Sequence, residues 1–204
     1  MHCGAVMSNL FFTSDTHFGH ANIIRFCSRP FSSVPAMDEA MIERWNARVG
    51  DDDVIYHLGD FTLGNRATAS RVLGRLRGRI KVLGYPWHHD RGWVPTAIGP
   101  SSFTGASGHV VEILPPLLTI SPEVAGRRQP IALCHFPLGE WDRRHHGAWH
   151  LHGHSHGNYH PTGAMLDVGV DDHDYAPVAL DDLPAILEPR LEAPRRDRVS
   201  AGAG

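Results

Sequence analysis

Apolar residues fill positions 10–12 and then give way to a Thr-Ser pair. Residues 9–14 (NLFFTS) therefore read as a strand feeding a loop at residues 15–20. Beyond Pro35, the residues Met37, Met41, Ile42, Trp45 and Val49 recur at spacings of three and four, the period of a helix with one buried face. Gly50 stands where a C-terminal cap belongs. Residues 53–58 (DVIYHL) form a second strand that ends in Gly59-Asp60, residues 65–76 read as a helix followed by Gly78, and residues 79–83 (RIKVL) form a third strand ending at Gly84. The order strand, helix, strand, helix, strand predicts a largely parallel sheet with helices packed outside it. Ligands of such sheets sit beyond the carboxyl ends of the strands, which is where Asp15, Asp60 and the loop after Gly84 fall.

The second half reads as β structure. Short strands are expected at residues 110–114, 117–120, 130–134, 148–152 and 165–170, broken by Pro and Gly, with a short helix at 181–187. Residues 189–204 read as a flexible tail, so residues 1–188 are expected to form one domain. No internal repeat or linker interrupts them.

Composition narrows the class. Hydrophobic residues make up 42% of the 204 and charged residues 20%, enough core and too little charge for a disordered chain. A net charge of −3 argues against a general nucleic-acid surface, although residues 75–81 and 143–146 carry short basic patches. Cys3, Cys27 and Cys134 are too far apart for a disulfide framework or a thiolate metal site, which fits a reducing, cytoplasmic setting. No apolar run reaches the roughly 18 residues of a spanning helix, and the first residues lack the form of a secretory signal.

The 16 histidines change the picture, because eight of them lie between His135 and His160. They are spaced and internal, unlike a tag. Asp15-Thr16-His17 puts a carboxylate and an imidazole two residues apart, which on extended backbone face the same side. Gly59-Asp60 sits at a strand end, where the glycine allows close backbone approach. The loop GYPWHHD carries His88, His89 and Asp90, and His135 stands at the end of an apolar strand. His152-Gly153-His154-Ser155-His156 alternates imidazoles around a glycine expected to leave room for a metal.

Taken in order, D-x-H, G-D, a Gly-to-His-acid loop, a lone His and G-H-x-H resemble the calcineurin-like metallophosphoesterase superfamily. The resemblance covers residues 9–175, and the runs SDTHFGHANI, LHGHSHG and LDVGVD are similar to its small bacterial and phage members. It implies an α/β fold of two packed mixed β-sheets flanked by helices, a four-layer sandwich. It also implies two divalent metal ions. One would be held by Asp15, His17, Asp60 and His156, the other by Asp60, His88, His135 and His154, with Asp60 bridging. Cations about 3.5–4 Å apart suit in-line displacement at phosphorus by a bridging hydroxide. His89 would bind phosphate or protonate the leaving oxygen, oriented by Asp90. The nitrogen-rich set favours Mn, Fe or Zn.

The third motif departs from the family pattern, which has Asn directly after Gly. Aligned from its end, the loop puts His88 at that position; aligned from its start, Tyr85. Imidazole is the better ligand. His20 and Asn22 are candidate substrate contacts, with loop capping the competing role for His20. His57, His109, His145, His146, His150, His160 and His173 default to non-ligands, His152 to a residue beside the site or an exposed one, and Trp45, Phe61 and Trp149 to core or rim packing. The expected activity is a phosphoester hydrolase, preferably a phosphodiesterase on small or nucleotide-like substrates. A non-catalytic binding or scaffold protein and a nuclease on short single strands are the alternatives. No membrane partner is expected.

Overall fold

The computed structural model describes residues 8–84, 89–95, 101–159 and 163–192. Tyr85, Pro86, Trp87 and His88 fall outside these residues, as does most of the expected tail. Among the described residues the elements run β1 (Leu10–Thr13), α1 (Ala21–Phe26), α2 (Val34–Arg48), β2 (Val54–His57), α3 (Arg66–Leu73), β3 (Arg79–Leu83), β4 (Ser101–Thr104), β5 (Val110–Leu114) and β6 (Leu117–Ile120). They continue with β7 (Glu123–Val124), β8 (Arg127–Arg128), β9 (Ile131–Cys134), β10 (Trp149–His152), β11 (Met165–Asp167), β12 (Val178–Ala179) and α4 (Leu183–Glu192).

Two mixed sheets pack together, flanked by helices. The first has strand order β12-β1-β2-β3-β5-β4, with β1, β2, β3 and β5 parallel and the two outer strands antiparallel. The second has order β11-β10-β9-β6, with only β6 antiparallel. The strand period of two explains the layering. Phe11 and Ile55 point one way, into a core with Met37, Met41 and Trp45 of α2 and Val72 and Leu73 of α3. Phe12 and Leu58 point the other way, into a core with Ile131, Leu133, Leu151 and Leu166 of the second sheet. β1 is thus buried on both faces, as a central parallel strand should be. Trp45, Phe61 and Trp149 are all core residues.

Local chemistry sets the helix ends. Ser33 caps α2 by accepting the Ala36 N–H, with Pro35 in the first turn. Asn65 caps α3 by accepting from Ala67 and Thr68. At the far end of α2 the expected glycine cap does not form. Val49 is already extended, and the Gly50 N–H goes to Asp53 Oδ2 at 2.8 Å, so a side chain rather than a left-handed turn stops the helix. α4 runs to Glu192, beyond the boundary expected at 188, with Pro189 inside it. Buried Leu183 and Leu187, and an Arg190 Nη1 bond to the Met165 carbonyl at 2.6 Å, anchor that helix to the second core. The described residues include no helix long and apolar enough to cross a membrane.

Candidate metal centre

The loops that follow β1, β2, β9 and β10 converge at the seam between the two sheets. They bring together six of the seven expected ligands; His88 lies outside the described residues. These six fall into two groups whose ligand atoms lie mutually within 4.8 Å: Asp15, His17 and His156, and Asp60, His135 and His154. The Asp60 Oδ2 atom lies 3.6 Å from His17 Nε2 and 3.6 Å from His135 Nε2, so one carboxylate stands between the groups.

The backbone achieves this convergence in an unexpected way. Asp15, His17, Asp60, His154 and His156 all have positive φ, between 46° and 70°. Left-handed backbone is costly for side chains other than Gly, about 1–3 kcal/mol per residue, and clusters at functional sites. Asp15 and His17 therefore share a side through two left-handed kinks, not through an extended segment. Gly59 has φ of +124° and packs against the His135 ring, where an added Cβ would lie 3.0 Å from Nδ1. At Gly153, the space left by the missing side chain is taken by the Ser14 and Asp15 side chains rather than by a metal position.

Burial dominates the electrostatics. It pushes the Asp15 carboxyl up to about 8, with Asp60 and Asp167 adding to the rise and His156 opposing it. Burial likewise pushes Asp60 up to about 7, helped by Asp90. His17 falls well below its ordinary value through burial and the neighbouring cationic groups. Asp15 Oδ1 and both ring nitrogens of His17 are buried and accept or donate no hydrogen bond among the described residues. Such groups are expensive to bury without a partner. Carboxylate and imidazole donors of this kind are what a divalent cation requires, so these residues fit a metal ion.

His89 and Asp90 separate in role. His89 is half-exposed at the rim, with Nε2 3.9 Å from Asp60 Oδ2 and its ring 5.3 Å from that of His17. Asp90 is buried. Its carboxylate accepts the Phe61 N–H at 3.1 Å, the Thr62 N–H at 3.0 Å and the Trp93 Nε1–H at 2.8 Å, and the Asp60 N–H as well. It holds the backbone that presents Asp60. His20 is half-buried beside His17, 5.5 Å between rings, and its side chain makes no helix-cap bond to α1. Asn22 is exposed on α1.

Several supporting residues carried no strong sequence signal. His57 accepts the Gly59 N–H at Nδ1 (3.2 Å), which leaves Nε2 to donate to Thr16 Oγ1 at 3.0 Å; that hydroxyl donates on to the Phe61 carbonyl. Burial drives its pKa down to about 3, so it is a neutral strut between the first two motif loops. His152 is also buried, with Nδ1 2.9 Å from the Gly153 carbonyl. Asp171 and Arg29 contact the centre too. Asp171 lies in the run LDVGVDD that the resemblance touched, whereas nothing in the pattern marked Arg29.

Comparison with models of known protein families gives no match. The chain is 29% identical over 192 residues to the gene 66 protein of Mycobacterium phage D29, covering 84% of this chain and 93% of that one. It is similar in fold to a crystal structure of the protein of unknown function AQ665 from Aquifex aeolicus, with a TM-score of 0.60 and 19% identity, over 88% of this chain and 100% of that one. It is 31% identical over 191 residues to the uncharacterized protein MJ1445 of Methanocaldococcus jannaschii, covering 89% of this chain and 93% of the relative. At that identity and coverage, the chain belongs to the same family as MJ1445.

Proposed function

We propose that the chain is a metal-dependent phosphoester hydrolase of the calcineurin-like kind, acting on small or nucleotide-like phosphodiesters. The observation that carries this reading is the Asp60 carboxylate standing 3.6 Å from both His17 and His135, between two histidine-aspartate groups. Asp15, His17 and His156 would hold one divalent cation, Asp60, His135 and His154 the second, with Asp60 shared. The nitrogen-rich donors favour Mn, Fe or Zn over Mg or Ca. Bound there, the cations would supply Lewis-acid polarisation of a phosphoryl oxygen and an acidified water as nucleophile.

The chain's own residues supply the rest. Asp60 is held in place by its backbone bond to Asp90, whose other donors fix residues 61 and 62. His89 stands at the solvent-facing rim, positioned to meet a phosphate oxygen or to give a proton to the leaving oxygen. His20 lines the same rim. The test is hydrolysis of bis(p-nitrophenyl) phosphate with added Mn2+. We expect turnover that chelation removes and that falls to background in Asp60→Asn. Full activity in that variant refutes the reading, and faster turnover of p-nitrophenyl phosphate would reverse the preference for diesters.

A further inference from the structure

We propose that Asp171, clamped by Arg29, is the positioning residue of the Asp15, His17 and His156 group, fixing which nitrogen of His156 faces the metal; this rests on the metal-dependent reading above. Asp171 lies in the 3-10 turn after β11, and Arg29 in the loop after α1. The guanidinium grips the carboxylate with two parallel bonds, Nε to Oδ1 at 2.7 Å and Nη2 to Oδ2 at 2.8 Å. The same Oδ2 lies 2.7 Å from His156 Nδ1. An ionised carboxylate only accepts, so His156 must donate from Nδ1, and its neutral ring then carries the lone pair on Nε2. That atom lies 3.9 Å from Asp15 Oδ1, inside the group.

Arg29 also acts on the opposite side of the group. Nη1 donates to the Thr16 carbonyl at 3.0 Å and Nη2 to the Asp15 carbonyl at 2.7 Å. One buried guanidinium therefore restrains the left-handed loop that carries Asp15 and His17 and, through Asp171, the ring of His156. The two partners are 142 positions apart in the chain. A buried ion pair is a poor source of stability for its cost, and is more readily understood as a device that specifies geometry. A metal-binding imidazole commonly gives its other N–H to a carboxylate, which fixes tautomer and orientation.

Asp171 also falls in a third group with Cys27 and His156, whose ligand atoms are mutually within 4.8 Å. Both its oxygens, however, are already engaged by Arg29 and His156. Asp171 thus acts on His156 and not as a ligand alongside Cys27.

The experiment is Co2+ titration of the full chain, followed by calorimetry and by the visible spectrum, together with long-range 1H–15N NMR of the histidine rings at pH 9. Wild type is expected to bind two ions and to show His156 as the Nδ1–H tautomer. Asp171→Asn should weaken one of the two sites by about 10- to 100-fold, leave the other within about twofold, and mix the His156 tautomers. Because that variant leaves Arg29 buried without its counter-charge, the double variant Arg29→Met/Asp171→Asn removes both and should show the same one-site weakening. Cys27→Ser should bind both ions as wild type does. Two unchanged sites and an unmixed tautomer in the Asp171 variants overturn the positioning role alone. A Cys27→Ser loss equal to that of Asp171→Asn overturns it in favour of a ligand role. A wild type that binds no ion overturns the metal reading and this proposal together.

Discussion

Gly153→Ala tests how tightly the seam is packed. A Cβ built at position 153 would come well inside 3.0 Å of Asp15 Oδ2 and Ser14 Oγ, a distance that real Cβ contacts essentially never breach. Asp15 has nowhere to retreat. It is fully buried, and its Oδ2 accepts the His154 N–H at 2.9 Å. Overpacking of a close-packed site costs about 1–3 kcal/mol, and losing the hydrogen bond to the Asp15 carboxyl, which burial keeps protonated up to about pH 8, costs about 0.5–1.5 kcal/mol. A total near 3 kcal/mol corresponds to a fall in Tm of about 6–12 °C for a chain of this size. Gly139→Ala is the control, since its added Cβ would meet nothing within 4 Å. Thermal unfolding by circular dichroism, with and without Mn2+, reads both variants. We expect Gly153→Ala to lose stability in the apoprotein and also, on the proposed metal-dependent reading, most of any stabilisation that Mn2+ gives wild type, because the displaced carboxylate belongs to one of the two groups. A Gly153→Ala protein with the Tm of wild type, and the same response to Mn2+, would refute the packing argument.

Two further outcomes follow from the same geometry. Asp90→Asn replaces an acceptor that serves Phe61, Thr62 and Trp93 with an amide that cannot receive them all, so unfolding should come about 2–4 kcal/mol earlier, visible in Trp93 fluorescence; equal stability would show that these bonds contribute little. The apoprotein should also lose stability between about pH 7.5 and 8.5, above the range in which unfolded histidines titrate. Its Asp15 and Asp60 carboxyls keep protons up to about 8 and about 7 that an unfolded chain has already released, so their contribution is whole below about pH 4 and drains as pH rises through those values. Buried His57 and His150, driven down to about 3 and about 4, oppose this loss near pH 6.5, where an unfolded chain still protonates them in part, and their opposition fades above about pH 7.5. Each proton held only by the folded state costs about 1.4 kcal/mol per pH unit. Mn2+ binding, which needs those carboxyls ionised, should raise Tm more at pH 8 than at pH 6.5. A flat apoprotein profile would refute the raised carboxyls.

The sequence exposes the chemistry of this site better than its construction. The clustering of Asp15, His17, Asp60, His135, His154 and His156 is legible because Asp and His are the residue types that can hold a metal, and because period-two and period-3.6 patterning places them at strand ends. β3, β5 and β6 keep their expected bounds, since each is a short apolar run framed by turn residues. β4 is hidden because only Phe103 of its four residues is buried, and β7, β8 and β12 because two residues make no pattern. The left-handed backbone at five of these positions leaves no trace in a string of Asp and His. Asp90 looks like a partner for the neighbouring His89, but its buried carboxylate is claimed by main-chain donors 28 and 29 positions away. Arg29 is invisible for the same reason: its contacts are decided by how the two sheets meet.

The meeting of the sheets gives the site a mechanical meaning. Asp15 hangs from the first sheet and His154 and His156 from the second, and the hydrogen bond that joins them spans 139 positions of chain. An ion held by both sides would be a reversible cross-link closing a loop of that size. In a chain-entropy account, a covalent bond closing a loop of about 100 residues stabilises by about 4–5 kcal/mol. The described cysteines, Cys27 and Cys134, form no such bond. Removing the ion would then act as cutting a staple does, loosening the seam at the site while the core of Phe12, Leu58, Leu133 and Leu151 still joins the two sheets.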